Sequence, residues 1–422
     1  MALILHIEEL SMQDLSPQVG IGTLVTHFAE GRQPLEAHVA PIYQTSTFGF
    51  PDTERGAAIF SGEAGYYYTR LANPNCDQYA QKIARLEALD LLRAAPDRAA
   101  DEVVAGKLFS SGMAAITTAI LGRARPGDAV LAQEALYSAT YGFLCELAPR
   151  LGLEVTWVKD PSLAGWEAGF RACPNPSLVY AETPANPTMQ VTDLVGLADL
   201  AHRHGSWLMV DNTFATPYCQ RPLSLGADVV VHSTTKYLSG HGVIVGGAVV
   251  SSHLDYVRQD LQHLLGMLGG APSPFDAWLG NLGLKTFELR MQRHCANALT
   301  LARYLESHPQ VAAVYYPGLE SHAGHAVARR QMHAYGGMIS FELKGGLPAG
   351  RVLMNGVRLI SLAVSLGMVD SLIQHPASMT HASIPAEDRR QMGLSDGLVR
   401  FSVGVENVED LQADLEQALA NI

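Results

Sequence analysis

From residue 107 onward, short apolar runs alternate with longer stretches of helical periodicity. The runs at 107–110, 129–132, 154–158, 178–181, 207–210, 228–231 and 246–250 are nearly continuous in apolar residues. Such runs predict strands covered on both faces, as in a mostly parallel sheet flanked by helices. Polar residues follow most of them at once. Ligands of open α/β sheets bind beyond the carboxyl ends of the strands. Ser111, Glu182, Asp211 and the segment from Ser233 to Lys236 are therefore expected to meet in one crevice.

The first seventy or so residues lack this alternation and are rich in turn formers, so they read as an arm laid over something else, often a second subunit. After residue 285 the pattern changes to a long amphipathic helix at 285–307, strands near 311–315 and 337–343, and a last helix from Val408, which together predict a smaller α+β domain. The stretch 88–106, rich in Ala, Asp and Arg and containing Pro96, reads as a surface helical insertion. The division expected is an arm over 1–72, a large domain over 73–285 and a C-terminal domain over 286–422.

Composition narrows the classes. With 48% hydrophobic residues, the 422-residue chain can fill one large core and a smaller one. A net charge of -12 opposes phosphate-backbone binding, so no nucleic-acid partner is expected. The five cysteines are scattered without a C-x-x-C pair and read as reduced thiols of a cytoplasmic protein. Glu8, Glu9 and Asp14 interrupt the apolar opening segment, and no run approaches ~20 apolar residues, so neither export signal nor membrane span is expected. His202 and His204 read as capping or solvent-facing residues. His322, His325 and His333 have no zinc-site spacing, so no metal is expected.

The candidate chemistry lies in Val231 to Gly242, which sets Lys236 just past a buried strand among hydroxyls and glycines. A buried lysine needs either a partner or a covalent use, because its amine is otherwise protonated at neutral pH. An ion-paired or snorkelling lysine is the plainer reading of that residue alone. Asp211 ends the preceding strand, where it either turns the chain as a cap or faces a group that needs a carboxylate. Ser110-Ser111-Gly112-Met113 joins a strand to a helix start, whose free N–H groups suit a phosphate. Tyr137 follows the next strand and reads as core or as a ring-stacking residue.

In concert, these residues resemble the Cys/Met-metabolism family of enzymes that use pyridoxal 5'-phosphate (PLP). The resemblance runs from about Thr23 to Asn421. It rests on Tyr66 to Pro74, Ser110 to Met113, Glu182 to Pro187, Asp211 to Thr213, His232 to His241, Ser273 to Asp276, and His375-Pro376-Ala377-Ser378-Met379-Thr380-His381. The chain departs from common family patterns at Asn75, Ser138, Val243 and Leu282. The resemblance implies the PLP-dependent transferase fold type I, aspartate-aminotransferase-like, with the smaller α+β domain at the C-terminus.

It further implies that Lys236 holds the cofactor as an imine, that Asp211 faces the pyridine nitrogen and that Tyr137 stacks on the ring. Ser111, the backbone of Gly112 and Met113, Ser233 and Thr235 would hold the phosphate, with Tyr68 and Arg70 reaching it from a neighbouring subunit of a homodimer, itself paired into a homotetramer. Asn186 would lie near the ring hydroxyl. Arg400 would clamp the substrate α-carboxylate with the backbone around Ser365 and Leu366, as its planar fork allows. Lys236, Tyr137 and Asp211 are the implied catalytic residues.

The implied reaction is γ-elimination from a sulfur amino acid, giving an α-keto acid, ammonia and a thiol. Family members that handle cystathionine commonly carry Glu before Ser-Leu-Gly, whereas those that cleave methionine resemble this chain in having Val, here Val364. Ala139 stands where many of the latter have Cys. Cystathionine cleavage and γ-replacement by an added thiol remain alternatives. So do a transaminase on the same fold and a scaffold without activity, although a scaffold needs none of Lys236, Asp211, Tyr68, Arg70 and Arg400.

Overall fold

The computed structural model of the chain describes residues 15–31, 33–379, 387 and 395–422. The first fourteen residues of the arm lie outside the described residues, as do Thr380 and His381 of the run noted above. A seven-stranded sheet is built from β1 (Ala105–Phe109), β2 (Ala129–Gln133), β3 (Glu154–Val158), β4 (Leu178–Glu182), β5 (Trp207–Asp211), β6 (Val229–Ser233) and β7 (Gly247–Ser251). Its spatial order is β1-β7-β6-β5-β4-β2-β3, with β7 antiparallel to both neighbours and the pairs from β6 to β3 parallel.

The continuous apolar runs follow from burial on both sides. Val130, Ala132, Tyr180 and Met209 join a core on one face of the sheet, and Leu131, Val179, Ala181, Leu208 and Val210 join a core on the other. Successive strand residues point to opposite faces, so a sheet covered twice demands an apolar residue at every position. The smaller sheet has the order β10-β11-β12-β9-β8, from β8 (Val311–Tyr315), β9 (Met338–Leu343), β10 (Ser361–Leu362), β11 (Leu372–Gln374) and β12 (Leu398–Ser402). The last three strands went unpredicted. Among the described residues no helix is long and apolar enough to cross a membrane.

The 88–106 stretch is helical over Leu89–Ala94 and lies at the surface through its middle, but its two ends are built into the body. Leu89 and Leu92 are buried, Ala105 and Gly106 already belong to β1, and Asp90 accepts from Arg221 Nε at 2.6 Å. Asn75, one of the departures noted above, stitches the arm to the body. Its Oδ1 accepts from Tyr43 N and its Nδ2 donates to Pro41 O, both at 2.8 Å.

A buried charge cluster ties the arm's helix α1 (Ile21–His27) to α2 (Pro74–Glu87) and to the start of α4 (Phe287–Ser307), which follows α3 (Gly112–Arg123) in the chain. Lys82 Nζ lies 2.5 Å from Glu30 Oε1 and donates to Val25 O, while Lys285 Nζ sits 3.0 Å from Glu30 Oε2. Burial works to raise the Glu30 carboxyl, but the two lysines and Asn281 hold it below its ordinary value. Lys82 is lowered to about 8, chiefly by burial.

Removing the sole partner of a buried charge leaves it uncompensated and is costly, whereas removing one of two partners leaves the remaining charge paired. Glu30→Gln is therefore expected to lower stability by roughly 3 kcal/mol, and Lys82→Met, which leaves Glu30 paired with Lys285, by roughly 1 kcal/mol or less. Urea unfolding of the two variants measures the difference. Equal losses would show that packing, and not the uncompensated charge, sets the cost.

Candidate active site

The carboxyl edge of the large sheet assembles the site. Glu182 and Asp211 end β4 and β5 and lie opposite each other in register. Ser233 ends β6, and its N–H donates to Thr213 Oγ1 at 2.9 Å. Beyond β1, Ser111 caps α3 by accepting from Ala114 N at 3.0 Å. The N–H groups of Gly112 and Met113 belong to the first turn and have no intrahelical acceptor. A Cβ on Gly112 would stand 2.9 Å from Ser233 Cβ, so only glycine lets the helix start lie this close to the end of β6. The outcome is a polar recess at the positive end of a twelve-residue helix, suited to an anion. Thr235 borders it, with its hydroxyl accepting from Gly246 N at 3.0 Å.

Lys236 projects from the loop after β6. Its Nζ donates to Ser365 Oγ at 2.7 Å, and burial together with the nearby Arg400 lowers its amine to about 8. Ser365 comes from the loop between β10 and β11 and holds φ at +89°, a strained value for a residue other than glycine. Its carbonyl accepts from Arg400 Nη2 at 2.7 Å, so one residue addresses both cations. Arg400 lies on buried β12 and is lowered to about 10 by burial; its Nη1 donates to Asn186 Oδ1 at 3.1 Å. Leu366 is buried behind this turn, while Val364 on its other side is 55% exposed.

Two carboxyls on adjacent buried strand ends oppose each other's ionisation. Burial and Asp211 push Glu182 up to about 8, against the pull of two backbone N–H groups and Arg400. Asp211 is raised as well, chiefly by burial, while Thr213, His232 and Tyr180 act to lower it. Asp211 Oδ1 accepts from Thr213 N at 3.0 Å. Glu182 Oε2 accepts from Tyr137 N at 2.9 Å and Oε1 from Asn186 N at 2.7 Å. Tyr137 itself is 43% exposed, free to meet a flat group across the recess.

The structure thus gathers Lys236, Asp211, Tyr137, Asn186, Arg400, Ser365 and the Ser111–Met113 turn beside Ser233. It gives Tyr68 and Arg70 no hydrogen bond to any of these among the described residues. Arg70 donates to Gly266 O, and its guanidinium lies 5.3 Å from the Tyr68 ring centre on the exposed arm. Glu182 was foreseen at a strand end but given no role. The available signal was a carboxylate closing a fully buried run, Leu178-Val179-Tyr180-Ala181-Glu182.

A family model described as Cys/Met metabolism PLP-dependent enzyme matches residues 22–420. An L-methionine gamma-lyase of Porphyromonas gingivalis is 47% identical over 406 residues, covering 96% of this chain and 98% of its own. A cystathionine gamma-lyase of Bacillus subtilis is 42% identical over 401 residues, covering 95% and 99%. The crystal structure of cystathionine gamma synthase from Xanthomonas oryzae pv. oryzae in complex with cystathionine superposes with a TM-score of 0.84 at 39% identity, covering 95% of this chain and 98% of that one.

A lysine lowered to about 8 loses its proton earlier than an ordinary one near ~10.4. In the cofactor-free protein, reductive methylation of Lys236 by formaldehyde and cyanoborohydride is expected to speed up about tenfold per pH unit below its pKa and to level off above about pH 8. Between the folded and unfolded values the unfolded chain binds more protons, so this group adds stability as pH rises through that window. Mass spectrometry of the Lys236 peptide reads the profile. A rate still climbing at pH 10 would show an amine that burial does not perturb.

Proposed function

Because the chain belongs to the Cys/Met metabolism PLP-dependent enzymes, we propose that it is a carbon–sulfur lyase that removes the γ-substituent of methionine or homocysteine, yielding an α-keto acid, ammonia and a thiol. The observation that carries this reading is Lys236, set beside Arg400 at the carboxyl edge with its amine lowered to about 8. Such an amine can join a carbonyl carbon and then exchange protons near neutral pH.

The residues fit PLP by their chemistry. The turn at Gly112 and Met113, with Ser233 and Thr235, suits a phosphate, and Ser111 holds that turn in shape. The buried Asp211 carboxylate accepts from Thr213 N and lies near Tyr180 and His232, where a pyridinium nitrogen would balance it. Tyr137 offers a ring face, and Asn186 stands where a ring hydroxyl would be met. When bound, the cofactor supplies an electron sink for the negative charge that develops on the substrate.

The chain's own residues do the rest. Arg400 takes the α-carboxylate with its planar fork, steadied by the Ser365 carbonyl, and Leu366 backs that turn. The Lys236 amine, once released by the substrate amine, is placed to carry protons from Cα toward Cγ, with Ser365 Oγ holding it between transfers. The Tyr137 hydroxyl serves as a further proton group. Exposed Val364 presents an apolar surface with no partner for a distal ammonium, while a thioether methyl rests there without cost. Cystathionine cleavage and γ-replacement use the same groups and differ in what reaches this surface.

The arm supports a shared site. Val39, Ile42, Phe50, Phe60 and Tyr68 expose large apolar surfaces along it, as do Met267, Leu268 and Phe275 on the body, a pattern that suits cover by a second copy. In this reading the arm of residues 1–72 brings Tyr68 and Arg70 to the phosphate of a partner's large domain (73–285), the domain over 286–422 closes each site, and homodimers pair into a homotetramer. Five free cysteines suit a reducing cytoplasm.

Steady-state comparison is expected to give a kcat/KM for methionine or homocysteine at least tenfold above that for cystathionine, and Val364→Glu to narrow the ratio about tenfold by pairing the distal ammonium. Cystathionine turned over as well as methionine, unaltered by the glutamate, would overturn the substrate assignment. Lys236→Ala and Arg70→Ala, each inactive alone, should recover part of the activity when co-assembled. Proven hybrids without activity would rule out the shared site.

A further inference from the structure

Glu182 is given no part by the reading above, yet its carboxylate holds two loops of the site at once. Tyr137 follows β2 and Asn186 follows β4, and this side chain bridges their main chains, with one oxygen on each N–H. The carboxylate is buried, so neither bond is exchanged for water. Asn186 passes the constraint on, since its Oδ1 receives Arg400 Nη1. The other end of that guanidinium is held by the Ser365 carbonyl. The path therefore runs from the Tyr137 backbone through Glu182 and Asn186 to the face of Arg400 that awaits a carboxylate.

We propose that Glu182 is a positioning residue for substrate binding: by fixing the Asn186 loop against the Tyr137 loop, it aims Arg400 at the α-carboxylate. This deepens the function proposed above and rests on it. Glutamine is the informative replacement, because its amide keeps one acceptor and turns an NH2 donor toward the second N–H. Aspartate keeps both acceptors and the charge but is one methylene too short to reach both loops.

The experiment uses the holoenzyme and reads equilibrium binding from the cofactor's absorption. L-alanine carries the amine and α-carboxylate without a γ-substituent, and ethylamine is the same amine without the carboxylate. For Glu182→Gln the alanine dissociation constant is expected to rise about tenfold, as the loss of a hydrogen bond to a charged group implies, while that for ethylamine changes less than about twofold. Glu182→Asp should fall between wild type and glutamine.

Asn186→Ala should weaken alanine similarly, and adding Glu182→Gln to it should do little more, since residues acting through one another are not additive. Equal weakening of alanine and ethylamine in both Glu182 variants would mean a merely structural residue and overturn the inference, as would additive effects. A wild-type protein whose spectrum responds to neither amine would instead overturn the PLP reading itself.

Discussion

Two carboxyl groups ending neighbouring buried strands set the terms for the rest of the site. Glu182 and Asp211 stand in register on β4 and β5, away from water, where each opposes the charge of the other. A protein core tolerates such a pair only if donors surround it. The donors come from every side: the N–H groups of Tyr137, Asn186 and Thr213, and the cationic field of Arg400 from the smaller sheet. The two cations are in turn depressed by the same dry surroundings. The displaced proton affinities of all four thus arise from one fact, the shared burial of groups that would each ionise freely in water.

The large sheet was legible because helices cover both its faces, which leaves nearly continuous apolar runs in the sequence. The smaller sheet was less so. β10 is two exposed residues, and β12 carries Arg400 in the middle of a fully buried strand, where periodicity alone argues against a charged residue. The exception has a local reason, since Asn186 and Ser365 satisfy that guanidinium. In the 88–106 stretch the Asp and Arg content matches the exposure of Asp97, Arg98 and Asp101, but it hides the start, where Leu89 and Leu92 face the core and Asp90 is paired with Arg221.

At the site, the lysine, the aspartate and the phosphate-type turn could be found from residue types at strand ends. What sequence could not express is the part played by main chain. Glu182 acts on two backbone N–H groups in loops whose approach depends on the β2–β4 pairing, and the Ser365 carbonyl meets Arg400 only because the backbone turns into the left-handed region there. Neither contact leaves a mark on side-chain pattern. Family resemblance supplied roles for Ser365 and Arg400; it included Glu182 in a matching motif but gave the carboxylate no role.

Ser365 stands on the smaller sheet and touches both cations, one rooted in each sheet: its hydroxyl meets Lys236 and its carbonyl meets Arg400. Arg400 shares the smaller sheet with Ser365, so a shift of that sheet toward the larger would carry the Ser365–Arg400 contact along unchanged and alter only the contact with Lys236. The spacing between the Lys236 amine and the Arg400 guanidinium is therefore hinged at a single residue. In the function proposed above, the residue that steadies the grip on a substrate's carboxylate is thus also the one that holds the amine in place.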